Sequence, residues 1–406
     1  MNPQPGDSNR RATDPLTIRV NPKHAAALNC DAPVPWRSGI HFSASAGSAR
    51  AVRLVAVIVG AVASILGTPT SFCAQPAQAK LVATYDGDAN IENVLFTPDG
   101  KSLVIRADDA LLLWDLATRR LRTRIQDKEV EFADRLAFTR DGKKLWMTAG
   151  WTVRTWDLNS PKTAVAITAK DDRHIDAMAV SFDGTILATG VSRAVLHGDK
   201  FGFIGTISLR APDPRKELMS VEGNRAVFDF AFSPDAKTLA VSRGVVSPEQ
   251  AKGEVALWDV GTKKLRLTLS ESEGDETYIA FSPDGHVVAT AGPRTVRLWD
   301  AKTGKKLQEW YPGLGFVNAV CFSPDSKLVL VGGGYPGLEG LGKGAGMVKF
   351  WSVSSGKEIA TVRAYDQEVL RMSLSADGRL LAVCAASSAT MKLWDVSGIT
   401  QTSRKK

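Results

Sequence analysis

Chemically demanding residues are scarce in this 406-residue sequence, which has four cysteines and five histidines. Four cysteines exclude a small fold held together by disulfides. Five histidines leave little material for an imidazole-rich metal site. A large surplus of one charge is also missing. The 51 basic and 43 acidic side chains leave a net +8, and residues 1–79, with seven basic and three acidic, hold half of it. Residues 80–406 form no polycation, so no nucleic-acid partner is expected. Long apolar runs are lacking as well. The run 54–67 has 14 residues, short of the roughly 20 that span a bilayer, so a multi-span membrane protein is excluded. Apolar residues at 44% and charged residues at 23% are those of a folded globular chain and exclude a wholly disordered one.

The N-terminal 79 residues differ from the rest. Residues 1–49 are rich in Pro, Ser, Asn and Ala without a sustained period, and read as a disordered extension or an unused upstream start. Residues 50–79 combine the basic flank Arg50 and Arg53, the apolar run 54–67 and the small-x-small ending Ala77-Gln78-Ala79. That is the pattern of a secretory signal. The expectation is export to a periplasm or the exterior, with cleavage after Ala79 or with 54–67 retained as a membrane anchor. Phe72 before Cys73 is wrong for lipidation, and Arg10-Arg11 lies too far upstream to act as a twin-arginine signal.

What the chain has in abundance is repetition. A turn motif recurs as FTPDG from Phe96, FTRDG from Phe138, VSFDG from Val180, FSPDA from Phe232, FSPDG from Phe281, FSPDS from Phe322 and LSADG from Leu374. A second motif follows each turn and ends in Trp114, Trp156, Trp258, Trp299, Trp351 and Trp394, with Arg210 in the third copy. Proline presets φ in the turn, aspartate bonds nearby backbone, and glycine accepts positive φ. Short alternating stretches between such turns are strands, so each unit reads as four strands and the chain as all-β.

A period of 41–52 residues and the recurring Trp-Asp ending resemble the WD-repeat β-propeller family over residues 80–398, here as an exported, bacterial-type member. The resemblance implies seven four-stranded antiparallel blades around a central channel, followed by a basic tail, 399–406. Polar outer strands fall at 81–85, 121–126, 163–168, 217–221, 265–269, 307–311 and 358–362. The first precedes every unit and the last unit lacks one. The strand from Leu81 to Tyr85 is therefore expected to complete the last blade and close the ring, which removes an open edge. The chain departs from the family in one respect. The family's buried His is missing from every unit, and Asp109 alone resembles its hairpin Asp, so packing should replace much of that polar network.

Candidate chemistry is sparse. The repeated Trp and the Asp after it (Asp115, Asp157, Asp259, Asp300, Asp395) read as packing and turn residues, because an active site is needed once and not in every blade. Residues 337–343 fit G-x-x-x-x-G-K, but Gly344 and a strand follow where a phosphate loop needs Ser or Thr and a helix. His174 with Asp171, Asp172 and Asp176, and His197 with Asp199, are poor metal sets. No cofactor, metal or catalytic residue is expected. Cys321 and Cys384 read as two separate buried thiols.

Unequal hairpins are the more informative feature. Residues 191–205, 242–253 and 332–346 are long equivalents in units three, four and six, and equivalent loops of a propeller share a face. Arg193, His197, Lys200, Phe201, Arg243, Tyr335 and Lys343 lie in them. The reading is a non-enzymatic, monomeric scaffold that presents these hairpins to a protein or peptide partner. Its rival is a propeller enzyme or small-ligand or anion binder that uses the mouth of the channel, which would need convergent polar groups there.

Overall fold

The structure, a computed structural model, describes residues 78–400 except 88, 109, 127–129, 131–134, 161–162, 169–173, 198–199, 212–215, 246–251, 274–277 and 336–343. Residues 1–77, which include all of the proposed signal but Gln78 and Ala79, lie outside them, as do the phosphate-loop-like stretch and Lys343. Among the described residues no helix is long and apolar enough to cross a membrane.

The strands form seven four-stranded antiparallel sheets, each ordered from an inner to an outer strand. Six are consecutive in the chain. The seventh takes Val369–Leu374, Leu380–Ala385 and Thr390–Asp395 from the C-terminal end, and its fourth strand is Lys80–Asp86 from the start of the described chain. Leu81 pairs with Trp394 and Tyr85 with Met391, so the ring closes as the strand count required. Tyr85 also meets Trp114 of blade one edge-on, with centroids 4.8 Å apart. The closing strand thus joins the last blade to the first. Past it, the short helix Ser397–Thr400 buries Ile399 and Thr400, so packing continues beyond 398.

Each blade shows one face to the blade before it and one to the blade after. Seven apolar clusters result, one for each interface. Between blades seven and one, for example, Leu103, Ile105 and Leu112 meet Ala382, Cys384 and Met391. A fully buried aliphatic side chain contributes about 1.5–3 kcal/mol, so stability is shared around the ring.

The turn after each inner strand is built the same way seven times. The Ser or Thr hydroxyl donates to the Asp two residues on, and the amide two residues past that Asp donates to the same carboxylate. Burial raises the carboxyl pKa at Asp99, Asp183, Asp284 and Asp377, and these hydrogen bonds outweigh it. At Asp141 and Asp235 the hydroxyl is the largest influence. All six lie below the ordinary carboxylate value. The Trp-Asp aspartates do parallel work: Asp115, Asp259 and Asp300 accept both the amide and the hydroxyl of the Thr three residues later.

The tryptophans pack as blade spacers, with Trp156, Trp258 and Trp299 buried. The Trp299 indole donates to Thr290 at 2.9 Å and Trp156 to the Ser160 carbonyl at 2.7 Å. The indole N–H groups of Trp258, Trp351 and Trp394 are buried without an acceptor. That is the outcome expected of blades held by packing more than by a polar network.

Candidate functional site: hairpin face and channel axis

Connections in an antiparallel blade alternate between its two ends. The Ser/Thr-x-Asp turns and the Trp-Asp turns share one face. The hairpins between second and third strands, and the links to the next blade, share the other. The long hairpins of blades three, four and six therefore rise on one side of the ring.

They are ribbons more than loops. In blade three, Leu187–His197 and Lys200–Arg210 stay paired out to His197 opposite Lys200, whereas the strands flanking them stop at Val191 and Gly205. Six residues at about 3.4 Å each stand about 20 Å above the blade. Val195 on one strand and Phe201, Phe203 and Ile204 on the other are strand formers that favour this pairing over an open loop. The hairpin strands of blade four reach Val245 and Lys252, and those of blade six reach Tyr335 and Ala345.

Glycine lets the hairpins share their bases with the links between blades. A Cβ on Gly205 would sit 2.2 Å from the Arg225 carbonyl oxygen, and one on Gly346 would sit 2.0 Å from that of Gln367.

The candidate partner-binding residues are placed unequally. Arg193 is exposed on the blade-three ribbon, 3.7 Å from Glu222. The backbones of His197, Lys200 and Phe201 lie on the same ribbon, and their side chains lie outside the described residues. Arg243 is engaged: its guanidinium donates twice to Glu254, at 2.6 and 3.0 Å, and Arg225 approaches the other oxygen at 3.6 Å. It braces the base of the blade-four ribbon. Tyr335 is exposed on blade six, its hydroxyl 3.4 Å from the Gly313 carbonyl. Two exposed aromatics that the hairpin comparison passed over, Tyr311 and Phe316, flank that link.

The second part of the site is at the axis. Three residues before each turn's first residue, the inner strands place Asn93, Ala177 and Ala319 in blades one, three and six. Blades two, four, five and seven place Arg135, Asp229, Tyr278 and Arg371 there. These four converge near the axis. Arg135 of blade two reaches past blade three and donates through Nη2 to the Phe228 carbonyl of blade four at 3.1 Å. Arg371 holds its guanidinium 6.0 Å from the Tyr278 ring centroid and donates to the Leu370 carbonyl at 2.9 Å. Asp229 accepts the Ile279 amide of blade five at 3.1 Å. Burial pushes the Asp229 carboxyl up, and the charge of Arg135, the two backbone amides and the charge of Arg371 oppose it.

At the mouth above this layer, Glu92 pairs with the buried Arg106, and His174 lies 3.4 Å from Asp176. Burial raises the Glu368 carboxyl, which Asn318 partly offsets. Aligning the seven units on their turns would have exposed the layer in the sequence, since it is the inner-strand position where charge appears without repeating.

Elsewhere chemistry is thin. Burial pushes the thiols of Cys321 and Cys384 up to about 12, and both are free. No group of three or more metal-ligating side chains occurs among the described residues. A groove of about 300 Å³ opens on the turn face between blades four and five, with Arg266, His286 and Lys302 in its lining. Its Asp235 and Asp284 are occupied by their own turns.

Comparison with known proteins matches residues 264–300, 304–352 and 356–395 to the WD domain, G-beta repeat. The molecule is a seven-bladed β-propeller, and three stretches of it match the WD repeat. Each matched stretch opens at or just before the outer strand of one blade and ends with the third strand of the next, the same offset that leaves the closing strand at the front of the chain. The chain is 29% identical over 152 residues to the small ribosomal subunit protein RACK1y of Oryza sativa subsp. japonica, covering 36% of this chain and 41% of that protein. It is 28% identical over 121 residues to the WD repeat and SOCS box-containing protein 1 of Xenopus tropicalis, covering 29% and 26%. A WD repeat-containing protein of Synechocystis is 29% identical over 106 residues, covering 26% and 28%. The chain thus spans less than half the length of these relatives. They come from plant, animal and cyanobacterium, so they do not mark an exported bacterial group.

Proposed function

We propose that this propeller is a non-enzymatic scaffold that binds a protein partner on its hairpin face. The observation that carries the reading is the set of three extended hairpins rising on one side of a rigid closed ring. A ring held by seven apolar interfaces moves little on binding, so the exposed Arg193, Tyr335, Tyr311 and Phe316 are presented at low entropic cost. Tyrosine and arginine are the side chains that most often anchor protein interfaces. The reading includes export, which rests on the basic-apolar-small pattern of residues 50–79.

Crosslinking and affinity capture from native cell fractions tests it. Wild type is compared with a variant whose hairpins 191–205, 242–253 and 332–346 are cut to Gly-Ser turns. Defined proteins captured by wild type and lost from the variant support the scaffold. The same set captured by both removes the hairpins from the binding surface. N-terminal sequencing of the native protein tests export: a start at Lys80 supports cleavage.

A further inference from the structure

We infer that the layer at the channel axis is a receptor for one anionic group, a carboxylate or a phosphate, held between Arg135 and Arg371. The inference rests on the hairpin face being the binding face, from which a partner would deliver the anion to the axis.

The charge count comes first. Glu92 answers Arg106, and Asp176 lies beside His174. Among the described residues, Arg135, Arg371 and Asp229 lie together at the axis, and Glu368 at the mouth is partnered by Asn318. Among the described residues neither guanidinium closes an ion pair with a carboxylate. Each donates to a neutral main-chain carbonyl, Phe228 or Leu370. The Arg135 Nε is buried without an acceptor. A buried cationic donor left open costs far more than one in water, and an entering anion would satisfy it.

The arrangement also has specificity. Asp229 is held by backbone amides on its own and the next blade, within the field of both arginines. Tyr278 beside Arg371 supplies a flat apolar wall. The two arginines come from blades two and seven, and only a closed ring brings them together. Arginine holds that position in two of the seven blades and not in the other five, which is how a site, unlike a packing rule, is written in a repeat protein.

The test is isothermal titration calorimetry on the purified full-length chain at constant ionic strength. The probes are inorganic phosphate, acetate, and the capped tripeptides Gly-Glu-Gly and Gly-Gln-Gly, with chloride as reference. The expected result is saturable binding of one anion per chain. Arg371→Gln and Arg135→Gln should each weaken it at least about tenfold, the usual scale for a charge-assisted hydrogen bond. Arg120→Gln, at an exposed outer-strand position, should leave it unchanged. Asp229→Asn guards against a mere loss of folding: removing the opposing charge should tighten anion binding several-fold. Tighter binding of the Glu peptide than of acetate assigns the anion to a protein side chain. Saturable phosphate binding without peptide binding assigns it to a free anion.

No saturable binding by any probe overturns the receptor, as does unchanged affinity in Arg371→Gln. So does an Asp229→Asn protein that melts earlier and binds no better, the signature of a purely structural brace. Failure of partner capture with anion binding intact would overturn the scaffold reading alone.

Discussion

Ala236 and Ser326 sit at φ 59° and 60° in turns where five other blades place glycine at 66–75°. A side chain there costs about 1 kcal/mol, and glycine returns part of that gain as unfolded-chain entropy. Ala236→Gly should therefore stabilise the protein, by up to about 1 kcal/mol. Ser326→Gly should gain less, because Ser326 Oγ also accepts the Asp284 amide at 3.1 Å. Urea titration of both variants checks the order. The tryptophans allow a sharper comparison. Trp299→Phe removes the partner of the fully buried Thr290, whereas Trp258→Phe removes a donor that has no acceptor. With similar volume lost, Trp299→Phe should cost about 1–2 kcal/mol more. Equal losses would show that the Thr290 bond contributes nothing net.

At the scale of the element, the turns respond to acid together. The aspartates of six turns and of the Trp-Asp ends at Asp115, Asp259, Asp300 and Asp395 titrate below 3.8 in the folded chain. Their stabilisation is present above that value and is lost as pH falls through the lowered folded values. The melting temperature should hold between about pH 7 and 5 and fall steeply below about 4. A flat profile down to pH 2.5 would mean that the turn bonds do not matter to stability. The closing strand is the other decisive element. Deleting residues 78–86 leaves the last blade with an open edge and no partner for Tyr85 against Trp114. The expected result is a melting temperature lower by at least about 5 °C, with oligomers in size-exclusion chromatography. A synthetic peptide of residues 78–88, added in trans, should restore the monomeric peak.

At the scale of the molecule, seven interfaces of similar composition make a ring with no single core. The inner strands therefore meet around an axis where side chains can differ from blade to blade without harming the packing. Arg135, Asp229, Tyr278 and Arg371 use that freedom, and the hairpins use the same freedom at the rim. Axis and rim are thus the two kinds of position at which the blades differ, and the places to look for partners.

Much of this was legible in the amino-acid order. The Phe-Ser-Pro-Asp-Gly and Trp-Asp motifs recur at a period that fits four strands, and the unmatched strand at residues 81–85 demanded closure with the last unit. These are local rules, since a turn aspartate bonds residues two to three positions away. Placement of the hairpins on one face also followed from counting connections. Aligned turns mark the position of the axis layer, but its contacts did not follow, because Arg135 and Phe228 are 93 residues apart and only ring closure brings them within a hydrogen bond. The pairing of Arg243 with Glu254, which turns a candidate contact into a brace, was likewise decided by the register of one hairpin. Repeat chemistry is written at short range in the chain, whereas the site depends on how seven copies meet, and that is a property of the closed ring.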